Sequence, residues 1–406
     1  MELLRRRSVL ALFTAEALST TGAQMTWLAL PWFVLTTTGS PARMGIVMAV
    51  ELAPLPIVGI LGGSLVARIG ARQTLLLCDL ARAPVMALIP TLHLLGVLTF
   101  PVLLALVFVL GAFWAPYFSS QRLVLPDLLG DDERRLAQAN ALLQASTRLT
   151  LVLGPAAAGM LIGVVGPVNV LFVDAVTYLV AFAIVGLFVP ASGRAPESDE
   201  ARGVLAGVRF LVRDRLLGPL TAATAVIEMA FQALIVAIPV LVIARYGEDA
   251  RIAGWLFAAW GGGSLLGNIA VYRIVAQFPL LLLVSLGGLL QAAMAWFLVP
   301  DLAAIAVAGA LFLLGLFNGL ISGPLFGILT GRTPAALRPK VLTASFTLSM
   351  LAGPLGLAVA GPALEALGTQ PVLAAIAALW SAAAVAFAFV ARQRRDLVGG
   401  PEPARV

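Results

Sequence analysis

Ionisable side chains inside strongly apolar stretches are the residues of this sequence that could carry chemistry. Glu16, Glu51 and Glu228 lie in apolar runs long enough to cross a bilayer. By helical rise they stand roughly 10, 13 and 16 Å from one end of their runs. Charges at such depth are rare and mark ion or substrate pathways. A low dielectric disfavours the charged carboxylate and a nearby guanidinium favours it, so an acid that moves between the two environments can load and release a proton. Static hydrogen-bonded packing is the alternative.

Arg148 is a cation placed deep in another apolar run. It stands about 16 Å from Ala137 along the helix axis, near the middle of a hydrocarbon core of about 30 Å. An unpaired guanidinium there would cost several kcal/mol, so we expect pairing with Glu16, Glu228 or Glu51. A purely structural pairing with a neighbouring helix is the alternative.

Aromatic and amide side chains accompany the acids and suggest a substrate cavity. The candidate lining residues are Trp27, Phe113, Trp114, Tyr117, Phe231, Gln232, Phe317 and Asn318. Such a surface suits a small lipophilic or amphipathic substrate, because a sugar needs many paired donors and acceptors. Ordinary packing of aromatic residues in membrane helices is the alternative.

The composition indicates a polytopic membrane protein and excludes several functions. The chain has 406 residues, of which 61% are hydrophobic and 11% charged, whereas soluble domains carry about 25% charge. One cysteine, one histidine and no glycine-rich phosphate loop predict no metal site, no cofactor and no enzymatic activity. The net charge of +6 reflects the basic residues that the topology concentrates on one side of the membrane, so it does not indicate a nucleic-acid partner. The predicted partners are the bilayer, protons and the substrate, and we expect a monomer.

Apolar stretches with polar or Gly/Pro breaks predict an all-α membrane protein of twelve transmembrane helices. The predicted spans are residues 9–35, 42–67, 74–95, 99–123, 138–165, 168–190, 217–243, 252–274, 278–299, 302–328, 340–366 and 371–391. Basic residues concentrate at the termini and in the even-numbered connections, while the opposite side has only Arg43, Arg245 and Arg251. The positive-inside rule therefore predicts cytoplasmic termini and a multi-pass protein of the cell inner (cytoplasmic) membrane.

The connection 191–216 divides the chain into two six-helix halves, 1–190 and 217–406, the second ending in a short cytoplasmic tail. Its amphipathic pattern predicts a helix at the inner membrane surface. Similar strings recur in the same order in both halves, for example Leu153-Gly154-Pro155 and Ala352-Gly353-Pro354. The sequence therefore predicts the two pseudo-repeats of a transporter.

The connection between spans 2 and 3 carries a specific motif. Residues 63–72 resemble the G-x-x-x-D-R-x-G-R-R loop of the major facilitator superfamily, with matches at Gly63, Arg68, Gly70 and Arg72. Ala67 and Ala71 depart from the pattern, which removes the aspartate of the usual loop latch. Asp79 and Arg82, taken as the start of span 3, are a candidate substitute, and a simple i,i+3 ion pair is the alternative.

Span 5 carries Gly154-Pro155-x-x-x-Gly159, similar to the antiporter motif of that superfamily, with Thr150 where a further glycine is expected. Other stretches resemble its macrolide-efflux and siderophore-exporter branch. The resemblance implies a major facilitator fold whose cavity is lined by spans 1, 4, 7 and 10. Pro155 is expected to bend span 5, and the two glycines to form a smooth surface that meets the Gly261–Gly267 run of span 8, the neighbour that the resemblance implies, and gates the outer side. Tight packing with no gating role is the alternative.

We therefore expect a proton-coupled antiporter that exports a lipophilic drug or a secreted metabolite such as a siderophore or macrolide. A proton symporter or lipid flippase on the same fold is the first alternative. A membrane scaffold or sensor that transports nothing is the second.

Overall fold

The computed structural model describes residues 6–55, 69–129, 133–190, 200–334 and 337–393. All regular elements in these ranges are helices. They are α1 (Arg7–Thr38), α2 (Pro41–Leu52), α3 (Ala71–Leu94), α4 (Phe100–Ala112), α5 (Trp114–Leu129), α6 (Glu133–Phe188), α7 (Glu200–Arg213), α8 (Leu217–Tyr246), α9 (Ala250–Ile274), α10 (Leu280–Trp296), α11 (Ala304–Arg332), α12 (Arg338–Leu367) and α13 (Thr369–Gln393).

Seven stretches of the described ranges are long and apolar enough to cross a membrane. They are Ala71–Leu94, Phe100–Phe118, Leu149–Phe188, Leu217–Tyr246, Ala304–Arg332, Lys340–Leu367 and Thr369–Gln393. Large apolar side chains such as Val164, Leu187 and Ile305 are more than 70% exposed on these helices. Outward-facing apolar surface of this kind is what a lipid environment requires.

The structure divides one predicted span and confirms the break between two others. The predicted span 99–123 is divided into α4 and α5 at Phe113, because Pro116 has no N–H to donate to Ala112 one turn earlier. Predicted spans 5 and 6 (138–165 and 168–190) are the two helical segments of α6, which are separated at Gly166 (φ 80°, ψ 160°), where the prediction placed their connection. This positive φ is accessible to glycine at little cost, which lets the chain turn there with almost no loop. At Pro155 the backbone angles stay helical.

The chain forms two compact units. The first comprises Met1–Glu200 with Glu248–Trp255, and the second comprises Ala201–Gly247 with Leu256–Val406. In the first unit α1 and α3 pack against α6, and in the second α8 packs against α12 and α13 while α10 packs against α11 and α13. The first unit has an apolar core in which α1, α3, α5 and α6 meet.

Helix α7 lies in the connection 191–216, where the sequence predicted an amphipathic helix. Gly207 lies directly against the backbone of Lys340 at the start of α12, and Leu211 is buried while Val212 is 76% exposed. One face of α7 therefore packs against the start of α12, while Val212 is exposed on another side of the helix.

Asp214 connects α7, α8 and α11 at one end of the second unit. Its carboxylate accepts the backbone N–H groups of Leu216 (2.8 Å) and Leu217 (2.9 Å) and pairs with the Nε of Arg332 at 3.1 Å. Partial burial acts to raise the pKa of Asp214, but the two N–H groups and Arg332 outweigh it, so the pKa lies below its ordinary value. The carboxylate thus closes the start of α8 in its charged form.

The mutation Asp214→Ala is expected to lower the free energy of unfolding by about 1 kcal/mol at neutral pH, the usual cost of losing a helix cap. Because the folded-state pKa is depressed, this contribution is present above the unfolded pKa, about 3.9, and disappears as the pH falls through the lower folded value. Thermal unfolding of the parent and variant at neutral and strongly acidic pH measures it. A difference that persists undiminished in acid would contradict this assignment.

Candidate functional site

A buried ion pair lies inside the first unit. Arg82 Nη2 donates to Asp79 Oδ1 at 2.6 Å, and Ser19 of α1 donates to the same oxygen at 3.3 Å. Asp79 and Arg82 are 1% and 3% exposed and stand more than two turns inside α3. The sequence placed this pair at the start of the span as a substitute loop latch. The structure shows the i,i+3 ion pair that was the alternative, buried within the helical core, and a role of the pair as a latch stays a prediction.

The guanidinium of Arg82 is held between two tyrosine rings. Its Cζ lies 4.2 Å from the ring centroid of Tyr117 in α5 and 4.4 Å from that of Tyr178 in α6. Two cation–π contacts in a dry environment stabilise the charge, and the planar guanidinium of arginine is suited to stacking on aromatic faces. Tyr117, predicted to line a substrate cavity, is 6% exposed and belongs to this cluster, and its contact with substrate stays a prediction.

A second acid, Asp174 of α6, lies in the same unit and is fully buried. Its carboxylate accepts hydrogen bonds from Thr26 of α1 at 2.5 Å and from Thr177 at 3.2 Å. The backbone of α1 approaches closely here because Gly22 has no side chain to meet Asp174 and Thr177. Hydroxyl donors from two helices therefore satisfy this acid.

Glu16 lies beside the ion pair in a small cavity. The cavity measures about 10 Å³ and is lined by Leu12, Ala15, Glu16, Leu75, Asp79, Tyr117, Gln121 and Val185. Glu16 is 5% exposed. The structure therefore brings Glu16 together with Asp79, an acid that the sequence assigned to a different role.

In the second unit, Glu228 stands beside an aromatic pair. The rings of Phe231 in α8 and Trp260 in α9 stack with centroids 4.5 Å apart. The amide of Gln232, one turn after Glu228, lies within hydrogen-bonding reach of its carboxylate. The indole N–H of Trp260 is buried and donates no hydrogen bond to a described residue. Glu228, Phe231 and Trp260 are only half-buried, so an acid and an aromatic surface remain accessible together.

The other predicted site residues belong neither to the cluster around Asp79 and Arg82 nor to the group formed by Glu228, Phe231 and Trp260. Trp27, Phe113, Trp114, Phe317 and Asn318 are half-buried, and Phe113 packs against the apolar core of the first unit. The ring of Trp114 packs on Phe118 with centroids 5.2 Å apart. The backbone carbonyl of Glu51 lies directly against Gly111, which fixes α2 on α4. Among the described residues, no three acids, histidines or cysteines are arranged to hold a metal ion.

The loop motif and Arg148 are partly beyond what the structure describes. Gly63 and Arg68 lie outside the described residues, as does the side chain of Arg148, so its pairing stays a prediction. Gly70 (φ 92°) begins α3. The guanidinium of Arg72 donates to the carbonyl oxygens of Val189 (2.6 Å) and Gly186 (2.8 Å) at the end of α6. This residue of the motif thus caps a helix C-terminus, where a cation is favoured.

The Gly-Pro string of α6 makes two close contacts. Gly154 packs against Gln24 of α1, and Gly159 packs against Ala250 and Gly254 in the first turns of α9. Gly159 contacts the predicted partner helix, span 8, which is α9. It meets the first turns of that helix and not the predicted Gly261–Gly267 run. Gly263 and Gly267 of α9 instead face Phe312 and Leu316 of α11.

The sequence did not predict the hydrogen bonds and the ion pair that Arg245 and Tyr246 make. Arg245, at the end of α8, donates to the carbonyl oxygens of Val299 (2.9 Å) and Pro300 (2.8 Å) and pairs with Asp301 at 3.2 Å. Tyr246 donates to the carbonyl oxygen of Leu302 at 2.6 Å. These bonds fix the connection between α10 and α11.

Apolar helices that are long enough to cross a membrane and that bury acidic side chains, as the first unit buries Glu16, Asp79 and Asp174, are typical of membrane transporters. The family model described as Major Facilitator Superfamily matches residues 12–357, and the chain belongs to this superfamily of transporters. It is a multi-pass membrane transporter and not an enzyme.

Relatives and solved structures agree with this assignment. The multidrug efflux pump Tap of Mycolicibacterium fortuitum is 28% identical over 98% of this chain and 99% of its own length. Tap of Mycobacterium tuberculosis is 26% identical over 89% of this chain and 88% of its own length. A bacterial homologue of the human lysosomal transporter Spinster has the same fold, with a TM-score of 0.76 at 16% identity, covering 99% of this chain and 100% of that chain. The nucleoside transporter NupG aligns at a TM-score of 0.75 and 11% identity, covering 94% of this chain and 98% of that chain.

Proposed function

We propose that this protein exports small lipophilic compounds, preferentially cationic ones, in exchange for protons. The observation that carries the proposal is the half-buried acid Glu228 beside the stacked rings of Phe231 and Trp260. An acid next to aromatic faces attracts a flat lipophilic cation by charge and by cation–π contact, and a proton can replace that cation on the same carboxylate. Competition of this kind couples export to proton entry.

Export is supported by the relatives named multidrug efflux pump and by the antiporter-type string Gly154-Pro155-x-x-x-Gly159. Secreted metabolites such as siderophores or macrolides are further substrates of the proposed class. The proposal includes twelve spans, cytoplasmic termini, the cell inner (cytoplasmic) membrane and a monomer that needs no cofactor.

Inside-out membrane vesicles test this function with a fluorescent lipophilic cation such as ethidium. We expect accumulation only when the vesicle interior is acidic, and loss of accumulation when a protonophore is added. Accumulation under the opposite gradient would indicate symport, accumulation without any gradient would indicate a flippase, and no accumulation would indicate a scaffold or sensor.

The mutations Glu16→Gln and Glu228→Gln are each expected to abolish gradient-driven accumulation, because neither amide can release a proton. Glu248→Gln is the matched control, since Glu248 is an exposed acid after the end of α8. Parental transport by both Glu16→Gln and Glu228→Gln would show that these carboxyl groups do not carry the exchanged protons.

A further inference from the structure

We propose that the indole N–H of Trp260 and the hydroxyl of Ser264, both on α9, form a hydrogen-bonding subsite for a neutral oxygen atom of the substrate. The inference rests on the proposed function. It narrows the substrate class to flat lipophilic cations that also carry an oxygen acceptor, such as a ketone, an amide or an ether. Trp260 and Ser264 thereby become specificity-determining residues beside Glu228, the acid proposed to hold the cationic group.

The two polar atoms of the subsite are buried without a hydrogen-bond partner. Within the part of the chain that the structure describes, neither Trp260 Nε1 nor Ser264 Oγ makes a hydrogen bond. Ser264 is only 3% exposed, so bulk water does not supply the missing partner. A buried donor without a partner lowers stability, and native proteins leave few of them. Two such groups, one helical turn apart, therefore indicate a site that a ligand completes.

Ser264 differs in this respect from other hydroxyl residues of the apolar helices in the second unit. Ser285 of α10 and Thr224 of α8 each donate at 2.8 Å to the carbonyl oxygen four residues earlier. Such a bond satisfies the hydroxyl inside its own helix. Ser264 makes no such bond to the carbonyl oxygen of Trp260, so its hydroxyl remains available to a bound molecule.

The subsite lies where α8, α9 and α11 meet. The ring of Trp260 stacks on Phe231 of α8, and the backbone of α9 at Trp260 and Ser264 lies directly against Gly315 of α11. Trp260 and Ser264 are four residues apart, so their side chains share one face of α9. Glu228 stands about one turn before Phe231 on α8. The acid, the aromatic surface and the two donors are therefore neighbours.

The donors and the acid define the chemistry of the group that fits. An indole N–H can only donate a hydrogen bond, so its partner must be an acceptor atom, and an oxygen with two lone pairs can also accept from the hydroxyl. The carboxylate of Glu228 attracts a cation and repels an anion, so this acceptor is neutral. Rotation of the half-buried Phe231 away from Trp260 admits a flat ligand ring in its place. An oxygen substituent of that ring can then reach both donors.

A matched pair of aromatic cations tests the subsite by equilibrium dialysis against the purified protein, without a gradient. The probes are 1-benzyl-3-acetylpyridinium, which carries an oxygen acceptor, and 1-benzyl-3-ethylpyridinium, which has nearly the same shape and no acceptor. We expect the parent to bind the acetyl probe about tenfold more tightly. Ser264→Ala and Trp260→Phe should each lower this ratio by about threefold or more, whereas Glu228→Gln should weaken both probes and keep the ratio. A ratio near one in the parent would overturn the subsite, and a parental ratio in either α9 variant would remove that residue from it.

Ser285→Ala is the matched control, because it also removes a buried hydroxyl from the second unit. Ser285 donates to the carbonyl oxygens of Leu281 and Phe387, so this variant should unfold at a lower temperature than the parent but keep the parental ratio of the two probes. Without a probe, Ser264→Ala should unfold no earlier than the parent, since no bond is lost. A fall in its midpoint as large as that of Ser285→Ala would show that the hydroxyl of Ser264 serves folding, and would overturn the subsite even if Trp260→Phe does not fold.

The outcome is independent of the vesicle experiment. A preference for the acetyl probe that depends on Ser264, found together with no gradient-driven accumulation, would refute the proposed antiport and leave the subsite in place. Coupled export by a protein that does not distinguish the two probes would refute the subsite and leave the antiport in place.

Discussion

Replacing Arg82 by methionine is expected to prevent accumulation of folded protein in the membrane. The change leaves the carboxylate of Asp79 without its guanidinium in a core where it is 1% exposed, and it removes both cation–π contacts. Breaking a buried pair by deleting one partner typically costs about 3–5 kcal/mol, a large share of the stability of most domains. The yield of monodisperse protein by size-exclusion chromatography and its thermal unfolding midpoint measure the loss.

The double variant Asp79→Asn with Arg82→Met is the control for this prediction. Removing both charges leaves no buried ion unpaired, so we expect much of the folded yield to return. Arg82→Lys should fold less stably than the parent, because an ammonium keeps the charge but cannot lie flat between Tyr117 and Tyr178. Parental yield of the single Arg82→Met variant would show that the ion pair is dispensable for folding.

The mutation Gly159→Leu is expected to abolish coupled efflux or to make the membrane leaky to protons. A Cβ atom at this position would lie 2.7 Å from the carbonyl oxygen of Ala250 and 3.0 Å from the Cα of Gly254. Backbone atoms cannot rotate away, so α6 and the first turns of α9 must separate, and overpacking of this kind costs about 1–3 kcal/mol. Vesicle transport and the rate of decay of an imposed pH gradient measure the effect.

Gly309→Leu is the matched control, because a Cβ at Gly309 of α11 meets nothing within 4 Å. It should transport like the parent. If Gly159→Leu only lowers expression and the remaining protein exports normally, the contact is simple packing and the predicted gating role is wrong.

The sequence predicted the helices well wherever apolar length decided the outcome. Predicted residues 9–35, 74–95 and 340–366 correspond to α1 (Arg7–Thr38), α3 (Ala71–Leu94) and α12 (Arg338–Leu367). It missed the division at Phe113, because an apolar profile does not register the single hydrogen bond that Pro116 removes. At Pro155 the backbone angles are helical, and the predicted bend of the helix axis there stays a prediction.

The buried acids were visible in the sequence, but their partners were not. Ser19 donates to Asp79 and Thr26 donates to Asp174 across 60 and 148 residues, and hydroxyl residues in apolar helices are too common to single out. Helical periodicity shows which residues share a face but not which helix meets that face. For this reason the glycines of α9 were assigned to span 5, whereas Gly263 and Gly267 accommodate α11.

The turn at Gly166 has a consequence for how this protein is made. Leu149–Phe188 is one continuous 40-residue apolar stretch, about 60 Å of helix and twice the thickness of a hydrocarbon core. A single glycine separates its two halves, so no hydrophilic segment exists between them that a translocation channel could pass separately. We therefore expect the two halves to enter the bilayer together and to present almost nothing at the turn to a protease or an antibody.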